Sequence, residues 1–298
     1  MNNSGAYIPL AGCLTGTDSP EIRSVFLGIP DDSQSTYRGG CSRGPKVIRR
    51  AYDGRAFNST TETGVNLADS VLDLGDLKPV DDWPTSAGLY RSTVESILKG
   101  GRTPFIAGGD HAVTVPIVEA LSVLGTSVHV VQIDAHPDLY GQYEGSTTSH
   151  ACVAARLLEM DHVASLTQLG VRALNDEQAK QLERYPDHLR IFFARDSIGP
   201  LDPLKHIPQG MPVYLTIDMD GLDPAYAPGV SHPVPGGLTS RQVLSFVQNG
   251  HWNLVGMDVV ETNPSVDVNN QTAILAGRLL QEGMGHHAMR LRANNPPA

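Results

Sequence analysis

Short apolar runs alternate along the chain with longer stretches in which apolar residues recur every three or four positions. The runs at 24–29, 71–74, 103–107, 128–133, 165–171, 213–217 and 253–260 predict strands. The longer stretches predict helices over 46–52, 87–99, 113–124, 151–160 and 271–281. Pro45 stands near the first turn of the first helix, and Gly100-Gly101 closes the second. Between the first strand and first helix, residues 30–44 are rich in Gly, Ser and Arg and read as a long loop. Strands alternating with helices predict a three-layer α/β/α fold around a mostly parallel sheet with both faces covered. No repeat, linker or charge block divides the 298 residues. The expectation is one domain over 1–298, with 1–20 set apart as a candidate extended segment. No G-x-G-x-x-G follows the first strand, so a dinucleotide site has no support.

Composition narrows the chemistry. Apolar residues at 40% are enough for a packed core, which excludes wholesale disorder. A net charge of −10 repels phosphate backbones and suits a small cationic substrate, so no nucleic-acid partner is expected. Cys13, Cys41 and Cys152 are widely spaced and odd in number, which points to a reducing compartment and not to a disulfide framework. No apolar run is long enough to span a membrane. Leu10-Ala11-Gly12-Cys13 has the local look of a lipoprotein cleavage site, but no basic residue precedes it. A cytoplasmic protein with no membrane partner is expected.

Polar clusters stand at the carboxyl ends of four predicted strands: Gly108-Gly109-Asp110-His111, Asp134-Ala-His136-Pro-Asp138, Asp218-Met-Asp220-Gly-Leu-Asp223 and Glu261-Thr-Asn-Pro264. Strand ends are where open α/β sheets bind ligands. Alternate residues of an extended segment point to one side, so Asp134, His136 and Asp138 can aim together, as can Asp218 and Asp220. Crowded carboxylates need compensating positive charge, which metal ions supply. A lone Asp-x-Asp is usually a turn feature, and a His after Gly-Gly usually a helix start. The clusters taken together outweigh those readings. Their oxygen-rich donors suit Mn²⁺-like ions, and enough carboxylates are present to bridge two.

These motifs resemble the ureohydrolase superfamily of arginases and agmatinases. Gly108-Gly-Asp-His-Ala-Val-Thr-Val-Pro116, Asp134-Ala-His-Pro-Asp138 and Asp218-Met-Asp-Gly-Leu-Asp-Pro224 are similar to its three signatures, in order. Asp134-Ala-His-Pro-Asp-Leu-Tyr140 and Gly229-Val-Ser-His-Pro-Val-Pro-Gly-Gly-Leu238 are most similar to the plant-arginase branch and its bacterial agmatinase-like relatives. The resemblance implies an arginase-like fold and two divalent ions per chain, Mn²⁺ by usual family preference, with Ni²⁺ the alternative. His111, Asp134, Asp138 and Asp218 would hold one ion. Asp134, His136, Asp218 and Asp220 would hold the other.

It further implies a metal-activated water attacking a guanidinium carbon, with Asp138 orienting the water, Glu261 pairing with the guanidinium and His150 transferring a proton to the leaving amine. Products would be urea, or a substituted urea, plus an amine or ammonia. A homo-oligomer, trimer or hexamer, is implied, with a hetero-oligomer containing a paralogue as the alternative. Two competing classes are a non-catalytic subunit of a mixed ureohydrolase assembly and a single-zinc deacetylase-like hydrolase.

Three departures bear on the substrate. Gly145-Ser-Thr-Thr-Ser-His150 carries small residues where Gly-Asn-x-Tyr-Ser-His is typical, Gly221 replaces a larger residue, and Asn175 falls near a carboxylate position of animal-type arginases. A non-arginine guanidino compound (agmatine-like, guanidine, N-substituted guanidine or biguanide) is therefore expected ahead of L-arginine.

Overall fold

A computed structural model describes residues 7–80, 82–197, 199, 201, 207, 210–250 and 252–294. The strands are β1 (Leu14–Thr15), β2 (Ser24–Ile29), β3 (Val71–Asp76), β4 (Thr103–Gly108), β5 (Val128–Ile133), β6 (Val163–Val171), β7 (Leu189–Phe193), β8 (Pro212–Asp218) and β9 (Asn253–Val260). They form one sheet in the order β1-β3-β2-β4-β9-β8-β5-β6-β7, and every neighbouring pair is parallel. The helices are α1 (Gly44–Ala51), α2 (Trp83–Lys99), α3 (Thr114–Ala120), α4 (Val153–Leu158), α5 (Asp176–Leu182), α6 (Ser240–Asn249) and α7 (Gln271–Asn294).

Parallel strands need crossovers, and the crossover helices bury both sheet faces. On one face Phe26, Phe105 and Leu215 pack with Ile48 of α1, Val247 of α6 and Leu280 of α7. On the other, Leu27 and Val130 pack with Val94 of α2, Ile117 of α3 and Leu157 of α4. The expected α/β/α layering holds, and the sheet is parallel throughout its described pairs. Leu10, Ala11 and Cys13 lie in the first of these cores, and the Ala11 amide donates to the Tyr52 carbonyl at 2.6 Å. Among the described residues no helix is long and apolar enough to cross a membrane.

Register carries the site. Chain direction across the sheet reverses between β5, which leads outward to β6, and β8, which leads back to β9. Ile133 of β5 pairs with Ile217 of β8, Asp218 with Val260 of β9, and Ala107 of β4 with Val259. The four central strands, β4, β9, β8 and β5, therefore end level with one another beside a switch point, where ligands bind in such sheets.

Strands 24–29, 128–133 and 253–260 occur with those bounds, and most other elements differ from expectation by a few end residues. The helix expected over 113–124 is instead a 3₁₀ turn at His111–Val113, then α3, then a second 3₁₀ turn at Leu121–Leu124 ended by Gly125 in the left-handed region. The helix expected over 151–160 is shortened to α4 and preceded by a 3₁₀ turn at His150–Cys152. Four elements were not anticipated: β1, β7, α5 and α6.

Candidate metal centre

Each central strand hands its last residues to the site through a short turn. Asp110, after β4, caps the turn that carries His111, its side chain accepting the Ala112 amide at 3.0 Å. Asp218, the last residue of β8, caps the next turn in the same way, with Oδ1 accepting the Asp220 amide at 2.8 Å. Asp134 follows β5 and accepts the His136 amide at 2.7 Å. Local Asx turns thus fix the carboxylates of Asp134 and Asp218 at the strand ends, each with Oδ2 facing His111. Asp138 and Glu261 hold left-handed backbone, φ 49° and 60°. Such strain in non-glycine residues costs on the order of 1–3 kcal/mol and gathers at functional sites.

The inward atoms converge. His111 Nδ1 lies 3.1 Å from Asp134 Oδ2, 3.0 Å from Asp138 Oδ2 and 3.5 Å from Asp218 Oδ2. His136 Nδ1 lies 3.0 Å from Asp220 Oδ2 and 3.7 Å from Asp134 Oδ1. Two sets, His111–Asp134–Asp218 and Asp134–His136–Asp220, each place their donor atoms within 4.8 Å of one another. Asp134 belongs to both, one oxygen to each.

His111 supplies the test of whether a cation fits. Its Nε2 contacts Thr216 Oγ1 at 3.0 Å, and Thr216 is fully buried beside Asp258. A hydroxyl held there favours the Nε2–H tautomer, which leaves the Nδ1 lone pair aimed at the carboxylates. Nδ1 is buried and makes no well-aligned hydrogen bond. A buried, unpartnered nitrogen facing three carboxylate oxygens fits a divalent ion.

The electrostatics agree. Burial pushes the Asp218 carboxyl well above its ordinary range, and repulsion from Asp220 and Asp134 adds to it. Asp138 is pushed up to about 7 by burial and by Asp134. Asp134 goes the other way: burial opposes its charge, but the close His111 and His136 imidazoles hold it well below the usual range. Burial opposes charge on both imidazoles too, yet the surrounding carboxylates win, and His136 rises to about 12. The cluster has more carboxylates than its imidazoles can neutralise.

Glu261 lies beside this cluster with both oxygens engaged. Oε1 accepts the His111 amide at 3.0 Å and His150 Nδ1 at 2.9 Å, while Oε2 accepts from Cys41 Sγ at 3.3 Å. Burial opposes its charge, but the His150 and His111 contacts hold its carboxyl down at about 2. The same contact raises His150 to about 9 against the cost of burial. A cavity of about 200 Å³ opens over the cluster, walled by Tyr140, Tyr143, Asn175 and His232.

All expected site residues therefore meet: His111, Asp134, His136, Asp138, Asp218 and Asp220 in the cluster, with His150 and Glu261 at its side. Residues 22–285 match the arginase family. A mitochondrial arginase of Medicago truncatula is 37% identical over 274 residues, 87% of this chain and 80% of that protein. A mitochondrial agmatinase of Gallus gallus is 33% identical over 283 residues, 89% and 81% of the two chains. The agmatine ureohydrolase of Thermoplasma volcanium superposes with a TM-score of 0.83 at 30% identity, covering 97% of each chain.

The chain belongs to the arginase family. It is a metal-dependent ureohydrolase, an enzyme of amidine C–N bonds. Within this arginase-family site, several supporting residues escaped the reading of the sequence. Gln132 Nε2 donates to Asp134 Oδ2 at 2.7 Å, and Gln168 holds Gln132 in turn at 3.0 Å. Both are polar residues inside apolar strand runs, which was the available signal. Arg172 donates to the carbonyls of Asp220, Gly221, Leu222 and Val234, stapling the turn after β8. His232 packs its ring against His150 at 5.1 Å and His136 at 6.0 Å. Only the fold brings these groups to the site.

Two departures read differently in the structure. Gly221 opens no space, since a Cβ there would lie 2.7 Å from the Asp134 amide nitrogen. Thr148 does not line the cavity, and its hydroxyl donates to Gln34 Oε1 at 2.7 Å, tying the His150 loop to the loop after β2.

Proposed function

We propose that this ureohydrolase holds two divalent ions and cleaves a small guanidino cation to urea, or a substituted urea, and an amine. The observation that carries it is the His111 Nδ1 lone pair, buried without an aligned partner among Asp134, Asp138 and Asp218. His111, Asp134, Asp138 and Asp218 would hold one ion, and Asp134, His136, Asp218 and Asp220 the other. Mn²⁺ is the first choice for these oxygen and imidazole donors and Ni²⁺ the second. Such a pair, when bound, supplies the activation of water near neutral pH.

The chain's own residues do the rest. Glu261 keeps free lone pairs beside its three partners and can face a guanidinium, whose planar fork matches a carboxylate. Asp138 orients the attacking water. His150, a buried imidazole 2.9 Å from Glu261, moves the proton that the leaving amine needs.

For the substrate, the cavity lining contains no Lys or Arg among the described residues to meet a carboxylate. Asn175 is committed to capping α5 and to the Tyr140 hydroxyl. Both favour a guanidino compound without a carboxylate: agmatine-like, guanidine, N-substituted guanidine or biguanide. The 37% identity to a plant protein named arginase favours L-arginine as the second reading. We place the enzyme in the cytoplasm, in keeping with its buried, free cysteines, and as a trimer or hexamer, alone or with a paralogue.

The deciding experiment loads the purified chain with Mn²⁺ or Ni²⁺ and follows urea, amine and ammonia. The panel runs from arginine and agmatine through guanidinobutyrate to guanidine and dimethylbiguanide. Preference for a carboxylate-free member supports this reading, and preference for arginine replaces it with the second. A chain with two metals that turns over nothing points to a missing partner subunit. A chain that binds no metal overturns the mechanism.

A further inference from the structure

His150 has two faces. Nδ1 points to Glu261, and Nε2 points to Thr36, a residue of the cavity wall that no signature contains. Thr36, exposed on the loop after β2, brings its hydroxyl to 2.9 Å and its amide to 3.3 Å from His150 Nε2. The imidazole itself is buried. The Thr36 loop is anchored on both sides. Gln34 donates its amide to Asp110 Oδ2 at 2.8 Å, next to His111, and its carbonyl accepts the His150 amide at 3.3 Å. The hydroxyl is thus held against Nε2 from a loop far away in sequence.

We propose that the Thr36 hydroxyl is the link through which His150 exchanges its proton with solvent, Nδ1 facing Glu261 and Nε2 facing Thr36 where it meets the open cavity. A threonine hydroxyl both accepts and donates. When a protonated His150 discharges, the Nε2–H bond breaks and its proton passes to Thr36 Oγ1. At the same time the original Thr36 O–H proton passes to water. The threonine is unchanged, the imidazole is neutral with its proton on Nδ1 toward Glu261, and one hydronium has formed. Recharging of this Nδ1–H ring runs the same steps in reverse, whereas a ring that has given its Nδ1 proton to the amine keeps the Nε2 proton and regains Nδ1–H from the Glu261 side. The Thr36 amide N–H, also aimed at Nε2, stabilises the neutral form with its lone pair there. The two Thr36 groups therefore serve the two states of one ring, the amide the discharged ring and the hydroxyl both.

Glu261 at the end of β9, Asp110 after β4 and Asp138 after β5 all favour charge on His150. His232, in the loop after β8, is held below its ordinary value by burial and by His150. The hydrogen bonds of Nε2 itself go to the Thr36 amide and hydroxyl.

The proposal rests on the proton-transfer role given to His150, so its test has one arm that needs no turnover. Thr36→Val keeps the shape and removes the hydroxyl, and Thr36→Ser keeps the hydroxyl. In the metal-loaded enzyme, Thr36→Val is expected to lower kcat about tenfold at low buffer, with KM unchanged, a small share of what acid–base groups contribute. Added imidazole buffer should restore it, and Thr36→Ser should turn over close to the parent rate. In parallel, ¹⁵N-histidine NMR of the full chain reads exchange of the His150 ring proton with water. Exchange should slow in Thr36→Val and not in Thr36→Ser. Unslowed exchange in Thr36→Val overturns the proposal, whether or not any guanidino compound is hydrolysed. Slowed exchange in a chain that hydrolyses none of the panel keeps the link and removes the substrate reading instead.

Discussion

The two halves of the candidate metal centre are built from like residues but in unlike surroundings. The His111 side chain is 1% exposed and the His136 side chain 29%. His111 sits where β4, β8 and β9 meet, backed by Thr216, with Thr114 and Tyr214 donating to Asp258 behind it at 2.9 and 2.6 Å. His136 stands at the cavity wall, with the His232 ring edge-on at 6.0 Å. Burial with a fixed second layer gives an inner position whose donors cannot turn away. The outer position keeps its donors next to the space a substrate enters. Asp134, fully buried and shared by both, couples them.

Asp134→Ala is the strongest way to break this comparison, because it removes an oxygen from each half. Loss of both metals and of turnover by at least 10³-fold is expected, as for removal of an essential catalytic group. Elemental analysis with urea release checks it, and a variant holding one metal tightly would show that the halves are independent.

Asp220→Ala removes a donor from the outer half only. Turnover should be lost while one equivalent of metal remains, and retention of two would place Asp220 outside the shell. Thr216→Val touches the inner half alone, freeing the His111 ring to turn. Metal affinity should fall roughly 10–100-fold, in line with other second-layer changes. Calorimetry that finds the weaker site to be the outer one would reverse the assignment.

The smallest effect concerns the pair beside both halves, in metal-free protein. His150 is raised from 6.5 to about 9, so its contribution is complete below 6.5 and disappears as pH rises through 9. Glu261 is lowered from 4.5 to about 2, so its contribution is complete above 4.5 and disappears as pH falls through 2. The pair is therefore fully stabilising between pH 4.5 and 6.5. His150→Gln should flatten the loss of stability between pH 6.5 and 9 by on the order of 1 kcal/mol. Denaturant midpoints at several pH values measure this, and an unchanged slope would remove the pair from the account.

Legibility differed by element for physical reasons. Central strands such as β5 and β9 are buried on both faces, so they stand out as apolar runs bounded by polar residues. β7 escaped notice because its partly exposed sequence, Leu-Arg-Ile-Phe-Phe, at the sheet edge blurs the pattern. α6 announces itself through the Thr239–Gln242 capping box, a signal present and not used. α7 was cut short at 281 because Gly283 and Gly285 are poor helix formers. The structure explains Gly283: a Cβ there would lie 2.4 Å from Met257 Sδ of β9. Close helix–sheet packing outweighs the propensity cost.

The candidate site divides in the same way. Its donors were readable because turn-forming Asp residues and alternate spacing leave a local signature, as at Asp134, His136 and Asp138. Gln132, Arg172, His232 and Thr36 carry no such signature. Gln132 meets Asp134 two positions on, but the other three meet partners brought near by strand order or loop docking, as Thr36 meets a histidine 114 positions away.

From its sequence alone, this chain declared a parallel α/β architecture and the residue types of a binuclear centre, since apolar period and turn chemistry are local. The tertiary structure alone decided which half of that candidate centre is enclosed, which nitrogen of His111 faces the carboxylates and which loop reaches His150. Those depend on the register that levels β4, β9, β8 and β5, and register is set by packing between segments distant in the chain.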